Sequence, residues 1–122
     1  MTAALQNLIL DACKNISRDD QSIASLELEK GDYAVSSIQI PRGGKILLFS
    51  KGKVRILFIG KRNRPLFILE ENSLLAIREK IEIYYNTNNL QEVSKLMIRG
   101  TKSSQVDISS EVKLSLFSAK QE

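Results

Sequence analysis

Residues 45–69 hold three short runs of branched and aromatic apolar residues, and turn residues separate the runs. The runs are KILLFS (45–50), KVRILFI (53–59) and LFIL (66–69). Gly52 lies in the first turn and Pro65 in the second. Such runs favour extended strands, and a tight glycine turn between two of them is typical of a β-hairpin. This segment therefore predicts hairpin-linked strands and limits the chain to a fold built around a sheet.

Two other stretches have the spacing of amphipathic helices. Near the N-terminus the apolar residues recur at i, i+3, i+4, i+7 and i+11, which predicts a helix over residues 3–16. Acidic and capping residue types at 70–73 precede a second apolar set at Leu74, Ile77, Ile81, Tyr84 and Tyr85. These features predict a second helix over 73–85, because acids and serine are favoured at helix starts. A short third helix is expected before Gly100.

The remaining segments favour strands. Residues 22–40 alternate apolar and polar positions around a turn at 29–32, and Val112, Leu114 and Leu116 alternate with polar residues. The apolar runs at 56–59 and 66–69 suggest central strands covered on both faces, whereas the stretch at 106–117 suggests an exposed edge strand. We therefore predict one α+β domain over residues 3–117. It would contain a mainly antiparallel sheet of about five strands, an N-terminal helix and one or two helices after the sheet. Residues 118–122 would form a disordered tail.

The absence of certain residue types restricts the chemistry. Among 122 residues there is no histidine, no tryptophan and one cysteine, Cys13. Without imidazole the chain lacks the usual nucleophile–base pairs and histidine-bound metals, and one cysteine forms neither an internal disulfide nor a thiolate cage. Phosphate-binding glycine motifs are also missing. The sequence therefore predicts a protein that is not an enzyme and holds no cofactor or metal.

The apolar runs are short, and the N-terminal MTAALQNLILDACK has no basic start. These features predict neither a membrane span nor a signal peptide, so we expect a cytoplasmic protein.

Positive charge is concentrated in the middle of the chain. Residues 33–69 contain eight Lys and Arg residues and no acid, although the net charge of the whole chain is only +4. Arg55 alternates with apolar neighbours, and if a helix covers its face of the sheet it needs a buried acid such as Glu79 or Glu82. The other seven are candidate contacts to a partner or to phosphate, namely Arg42, Lys45, Lys51, Lys53, Lys61, Arg62 and Arg64. An acidic protein surface, anionic lipid headgroups and nucleic acid would each suit such contacts.

The order of predicted elements resembles that of Roadblock/LC7 domains, which are small longin-related domains. DQSIASLELEKGDYAVSS (20–37) would correspond to the first strand pair of that family, and residues 45–85 to its closing strands and helix. Residues 37–44, with Pro41 and two glycines, occupy the place of the long second helix of the family and cannot form it. The resemblance implies a dimeric platform that binds another protein, such as a small GTPase.

Two functions remain open on the sequence. The first is a non-catalytic protein-interaction or scaffold subunit of an assembly, associated with a small GTPase and forming a homodimer. The alternative is nucleic-acid binding through the basic hairpin at residues 42–64, whose lysines and arginines would contact phosphates.

Overall fold

The computed structural model describes residues 4–14 and 22–120, and this part contains two helices and eleven strands. The helices are α1 (Leu5–Lys14) and α2 (Val93–Met97). The strands are β1 (Ala24–Glu27), β2 (Gly31–Val35), β3 (Ile38–Ile40), β4 (Lys45–Phe49), β5 (Val54–Phe58), β6 (Phe67–Leu69), β7 (Leu74–Ile77), β8 (Ile81–Asn86), β9 (Ile98–Arg99), β10 (Gln105–Ile108) and β11 (Lys113–Phe117).

The strands form three parallel sheets. The first sheet has the order β1-β4-β7-β10, the second β11-β8-β5-β2 and the third β3-β6-β9. Each of the strands β1 to β8 pairs in parallel with the strand three positions further along the chain. The chain therefore visits the three sheets in turn and then begins again one level further on.

This connectivity is that of a three-sided parallel β-helix, and we call each of its turns a coil. The first coil consists of β1 to β3, the second of β4 to β6, the third of β7 to β9, and the fourth of β10 and β11. In the first sheet Ala24 pairs with Ile46, Ile46 with Leu75, and Leu75 with Val106. We name the turns between the first and second sheets the first corner, those between the second and third sheets the second corner, and those from the third sheet back to the first the third corner.

The core fills the interior of the coil. In β5 the side chains of Val54, Ile56 and Phe58 are buried, whereas Arg55 between them is exposed. This alternation is the period of a strand with one covered face. Residues of all three sheets meet in one apolar cluster, and the rings of Phe58 and Tyr85 lie 5.2 Å apart in neighbouring coils. Stacked apolar columns of this kind hold one coil on the next.

Helix α1 covers the beginning of the coil. Its Leu5 and Ile9 are buried in the core cluster, and the helix packs against β1, β3 and β4. The side chain of Gln6 also serves the free edge of β3, because its Nε2 donates to the Gln39 carbonyl at 2.9 Å and its Oε1 accepts from the Gln39 amide at 2.6 Å. The helix thus satisfies backbone groups that a preceding strand would otherwise pair.

The predicted antiparallel sheet of about five strands is wrong, because the protein is α/β with three parallel sheets. The predicted hairpin of 45–50 and 53–59 is a corner instead: β4 pairs with β1 and β7, and β5 with β2 and β8. Ser50 fixes this corner, since its Oγ donates to the Leu28 carbonyl at 2.9 Å and accepts from the Gly52 amide at 3.2 Å. A glycine turn suits both a reversal and a corner.

The predicted helix over 73–85 is also wrong, because this stretch forms β7 and β8. Lys80, in the turn between them, has a φ of 74°, which a right-handed helix does not allow. On both sides of the turn the residues are extended, and Ile81, Ile83 and Tyr85 alternate inward. The helical spacing of the apolar residues arose from two strands interrupted by a turn.

Several local predictions are confirmed. The first helix forms over Leu5–Lys14, while residues 3, 15 and 16 of its predicted range lie outside the described part of the chain. The short third helix is α2. The predicted edge strand over 106–117 is instead two strands, β10 and β11, each at the edge of its own sheet. The expected covering of β5 on both faces is wrong, because its outward residues are exposed or half-buried. In the predicted tail, Ala119 exchanges two hydrogen bonds with the Asn86 side chain, and residues 121–122 lie outside the described residues.

Candidate interaction sites

The coil separates the predicted basic segment into three groups. Lys51 and Lys53 lie at the first corner, between β4 and β5, and Lys61, Arg62 and Arg64 lie at the second corner, between β5 and β6. Arg42 lies at the third corner, and Lys45 follows it as the first residue of β4. Residues adjacent in the sequence therefore face three different sides of the molecule. The structure brings together members of each group, but it does not combine all seven on one surface.

The contacts of these residues are mostly weak surface contacts. Arg42 lies 3.8 Å from Glu71, with both side chains largely exposed. Arg62 donates to the hydroxyl of Ser118 at 3.3 Å. Lys53 forms a shorter ion pair, 3.1 Å from a carboxylate oxygen of Glu82. The exposed pair of Arg42 with Glu71 contributes about 0 to 1 kcal/mol, so it leaves Arg42 available to a ligand. In the Lys53 pair, by contrast, the Glu82 side chain is only 11% exposed.

Three lysines occupy equivalent positions at the first corner. Lys30, Lys53 and Lys80 directly precede Gly31, Val54 and Ile81, which are stacked partners in the second sheet. The backbone ladder extends to them, because Gly31 donates to the Lys53 carbonyl at 3.1 Å and Val54 to the Lys80 carbonyl at 2.9 Å. We call these three residues the lysine column. Neighbouring strands lie about 4.8 Å apart, so the column carries like charges on successive coils.

A column of alternating charge runs beside the lysine column. Asp32 pairs with Arg55, Arg55 with Glu82, and Glu82 with Lys113 in the strand register. Arg55 binds Asp32 through two nitrogens, with Nε to Oδ1 at 2.7 Å and Nη2 to Oδ2 at 3.0 Å. The predicted pairing of Arg55 with Glu79 or Glu82 is therefore replaced by a pairing with Asp32. Opposite charges on neighbouring strands stabilise the stack, in contrast to the lysine column.

Glu82 links the two columns. Its carboxylate lies 3.1 Å from the Lys53 ammonium and accepts the Tyr84 hydroxyl at 3.2 Å. The hydrogen bond from Lys53 is the main reason that the pKa of Glu82 lies below its ordinary value, and Tyr84 contributes in the same direction. The carboxylate is therefore held in its charged form at neutral pH.

The second corner contains a network of amides and hydroxyls. Asn86 is buried, and its amide nitrogen donates to the carbonyls of Ala119 at 2.9 Å and Gly60 at 3.4 Å. Its carbonyl oxygen accepts the Ala119 amide at 2.8 Å. Next to it, Thr87 donates to the side chain of Asn63, whose positive φ of 65° suits asparagine. This network ties together three levels of the coil and has a structural role.

The two ends of the coil differ. In the third coil Leu75, Ile83 and Tyr85 point inward and are buried. The residues stacked on them in the fourth coil are Val106, Leu114 and Leu116, and they are 39%, 43% and 37% exposed. Within the described part of the chain β10 and β11 are terminal strands, so their outer edges pair with nothing. We call this surface, formed by β10 and β11, the open end.

Sequence reasoning missed Lys30, Lys80 and Lys113 as companions of Lys51 and Lys53. The signal becomes visible only with the register, because Lys30, Lys53 and Lys80 precede stacked strands of the second sheet. In the sequence they are separated by more than twenty residues, and Lys30 and Lys80 lie among acids outside the basic segment. The excess of positive charge at 33–69 therefore does not indicate that lysines of distant segments are stacked.

Comparisons with protein-family models, with curated proteins and with solved structures found no match to this chain. In residues 4–14 and 22–120 neither helix has the length and apolar character needed to cross a membrane. The same residues contain no group of three or more acids and cysteines that could hold a metal ion.

Proposed function

We propose that this chain is a non-catalytic protein-interaction module that forms a homodimer through the open end of its β-helix. The observation that supports this proposal is that apolar residues stacked on one another are buried in the third coil but exposed in the fourth. Leu114 and Leu116 are 43% and 37% exposed, whereas Ile83 and Tyr85, on which they stack, are buried. Within the described residues the edges of β10 and β11 are uncovered, and an uncovered edge strand is a template for pairing.

A second copy suits this end because the opposite end is already covered. In head-to-tail stacking, the open end of one copy would have to displace helix α1 of the other copy. This is unfavourable because Leu5 and Ile9 of α1 are buried in the core of their own chain. Two open ends can meet across a two-fold axis without displacing any element. Such an arrangement closes on itself and uses the same patch on both copies.

The sequence of β11 is suited to antiparallel pairing with itself. If two β11 strands pair around Ser115, Leu114 of each copy faces Leu116 of the other, and Lys113 faces Phe117. Parallel pairing in register would instead bring Lys113 opposite Lys113, which is unfavourable. The antiparallel arrangement therefore buries the inward leucines and separates the cations.

The expected dimer is weak. Burying the exposed 43%, 37% and 39% of Leu114, Leu116 and Val106 contributes less than about 1 kcal/mol for each side chain. A few edge hydrogen bonds add about 1 kcal/mol each, and association costs at least about 4 kcal/mol. Counted over the side chains of both copies and at the lowest association cost, about 4 to 5 kcal/mol remains, which corresponds to a Kd of about 0.2 to 1 mM.

Sedimentation velocity over a concentration series that reaches this range tests the proposal. Leu114→Glu with Leu116→Glu should leave only monomer, because the carboxylates would be desolvated in the interface. Leu90→Glu is the matched control, since Leu90 is 72% exposed in the loop before α2. It should dimerise like the wild type. A wild-type protein that remains monomeric at the highest concentration would refute the proposal.

A cross-link tests the orientation. In a Cys13→Ala background, Ser115→Cys places a thiol at the two-fold axis, where opposed residues have the Cα separation of a disulfide. Oxidation should give a covalent dimer, whereas Ser110→Cys, in the turn between β10 and β11, should give none. Equal cross-linking of both variants would show that the β11 strands do not meet at Ser115.

The other sequence-based expectations remain predictions. Association with a small GTPase rests on the Roadblock/LC7 resemblance, and a pull-down of co-purifying proteins tests it. Cytoplasmic localisation and the lack of catalysis rest on the sequence. The alternative, nucleic-acid binding through residues 42–64, would require contacts from three corners at once, and a filter-binding assay at low salt tests it.

A further inference from the structure

We propose that the first corner of the coil binds an acidic oligosaccharide, with the carboxylates of the ligand on the lysines and its hydroxyl groups between them. The site is a groove of about 390 Å³ lined by Lys51, Gly52, Lys53, Lys80, Ile81, Glu82, Glu111 and Lys113. A second groove of about 540 Å³ adjoins it at Lys53 and is lined also by Lys30, Gly31, Asp32 and Arg55.

The two grooves form one track along the coil. Lys30 belongs to the first coil, Lys51 and Lys53 to the second, Lys80 to the third and Lys113 to the fourth. Three spacings of about 4.8 Å separate the first coil from the fourth, so the cations extend over about 14 Å. This length matches a short linear ligand that lies parallel to the coil axis and crosses the strands.

The lysines of the track are only partly compensated, whereas Arg55 is paired with both carboxylate oxygens of Asp32. Among the described residues, Lys53 is the only lysine of the track in an ion pair, with Glu82 at 3.1 Å. Lys80 donates to the Lys51 carbonyl at 3.0 Å, a contact that leaves its charge unpaired. Like charges on neighbouring strands are destabilising, so the lysine column lowers stability in the free protein. An anionic ligand would remove this repulsion, which gives the track a preference for negative charge.

The acids of the track select the kind of anion. Asp32, Glu82 and Glu111 lie between the cations, and the two grooves together hold six cations and three acids. A chain with a charge on every phosphate would bring phosphates against these carboxylates. A carbohydrate acid places neutral hydroxyl groups between its carboxylates, and those hydroxyls can donate to an acid such as Glu111.

The lining also disfavours single-stranded nucleic acid. Binding of single strands relies on aromatic side chains on which bases stack. None of the residues that line the two grooves is aromatic, and the nearby Tyr84 uses its hydroxyl to bind Glu82. The track thus offers charge and hydrogen bonding without a stacking platform, which suits a ligand bound through its carboxylates and hydroxyl groups.

Isothermal titration calorimetry with an alginate-derived hexasaccharide at low salt tests the proposal. We expect binding that weakens as salt screens the lysines, and no binding of maltohexaose, which is neutral. Lys30→Gln with Lys51→Gln should weaken binding about tenfold, the loss expected for exposed charged contacts. These two side chains are exposed and lie away from the open end, so the coil and the dimer should be unchanged.

The matched control removes the same charge at another corner. Lys61→Gln with Arg62→Gln should leave the affinity for the hexasaccharide unchanged, because these residues lie at the second corner. Equal weakening by both double variants would show a general charge effect and refute the site. Absence of binding at low salt would also refute it. A thymidine oligonucleotide that binds more tightly than the hexasaccharide, and loses affinity with Lys30→Gln and Lys51→Gln, would assign the track to nucleic acid and overturn the proposal.

Discussion

The buried amide of Asn86 gives the sharpest stability prediction. Its side chain makes three hydrogen bonds, to the Ala119 carbonyl at 2.9 Å, from the Ala119 amide at 2.8 Å and to the Gly60 carbonyl at 3.4 Å. Asn86→Ala removes all three and leaves backbone groups of Gly60 and Ala119 without these partners. The substitution introduces no charge, and alanine is tolerated in a strand.

The magnitude follows from these distances. A buried hydrogen bond contributes about 1 kcal/mol net, and the groups left unpaired cost more when water cannot reach them. Two of the bonds are short and one is long, while Ala119 is only half-buried and gains some water. We therefore expect Asn86→Ala to lower the free energy of unfolding by about 2 to 3 kcal/mol. For a chain of 122 residues this corresponds to a fall in Tm of roughly 8 to 12 °C.

Urea unfolding monitored by circular dichroism measures this change. Asn89→Ala is the control, because the Asn89 side chain only accepts the Gln91 amide at 3.2 Å, two residues away and exposed. It should alter the free energy of unfolding by less than about 0.5 kcal/mol. An Asn86→Ala variant within that same margin of the wild type would refute the structural role of the network at the second corner.

Three further predictions concern other parts of the coil. Gln6→Ala should lower the free energy of unfolding by about 1 kcal/mol, because two partly solvated hydrogen bonds to the β3 edge are lost, and urea unfolding measures it. Gly60→Ala should destabilise by about 1 to 3 kcal/mol, since an added Cβ would lie 2.5 Å from the Phe58 ring, and its Tm shows the effect. The ion pair of Glu82 with Lys53 lowers the pKa of the carboxyl in the folded state, so its contribution to stability is present above pH about 4.3 and is lost as the pH falls through the folded pKa. Between pH 6 and pH 3 the urea midpoint of the wild type should therefore fall more than that of Glu82→Gln, and parallel curves would contradict this.

The strands at the centre of the chain could be predicted from sequence, but their partners could not. The runs at 45–49, 54–58 and 67–69 form strands as expected, because branched and aromatic residues suit a pleated surface. Each then pairs with a strand of another coil, such as Ile46 with Ala24 and Leu75. A pairing between segments so far apart in the sequence cannot be recognised from a local residue pattern, whereas Gly52 between two apolar runs is a strong local indication of a hairpin.

The candidate sites show the same division. The exposed apolar alternation at 112–116 predicted the edge strand β11, but only the stacking of Leu114 on Ile83 shows that this edge is an uncovered end of the core. The basic segment at 33–69 was visible as composition, but its members project from three corners. The lysine column instead combines residues of three coils, and these residues are too far apart in the sequence to be recognised as a local cluster.

The sequence by itself determined helix α1, the strands β4 to β6 and the turns between them, because these properties depend on neighbours a few residues away. The tertiary structure decided which segments lie beside one another, and with that which charges repel, which carboxylates are paired and which apolar column ends in solvent. The physical reason is that a parallel coil stacks residues that are distant in the chain. The energies of that stacking therefore depend on register, which local sequence patterns do not encode.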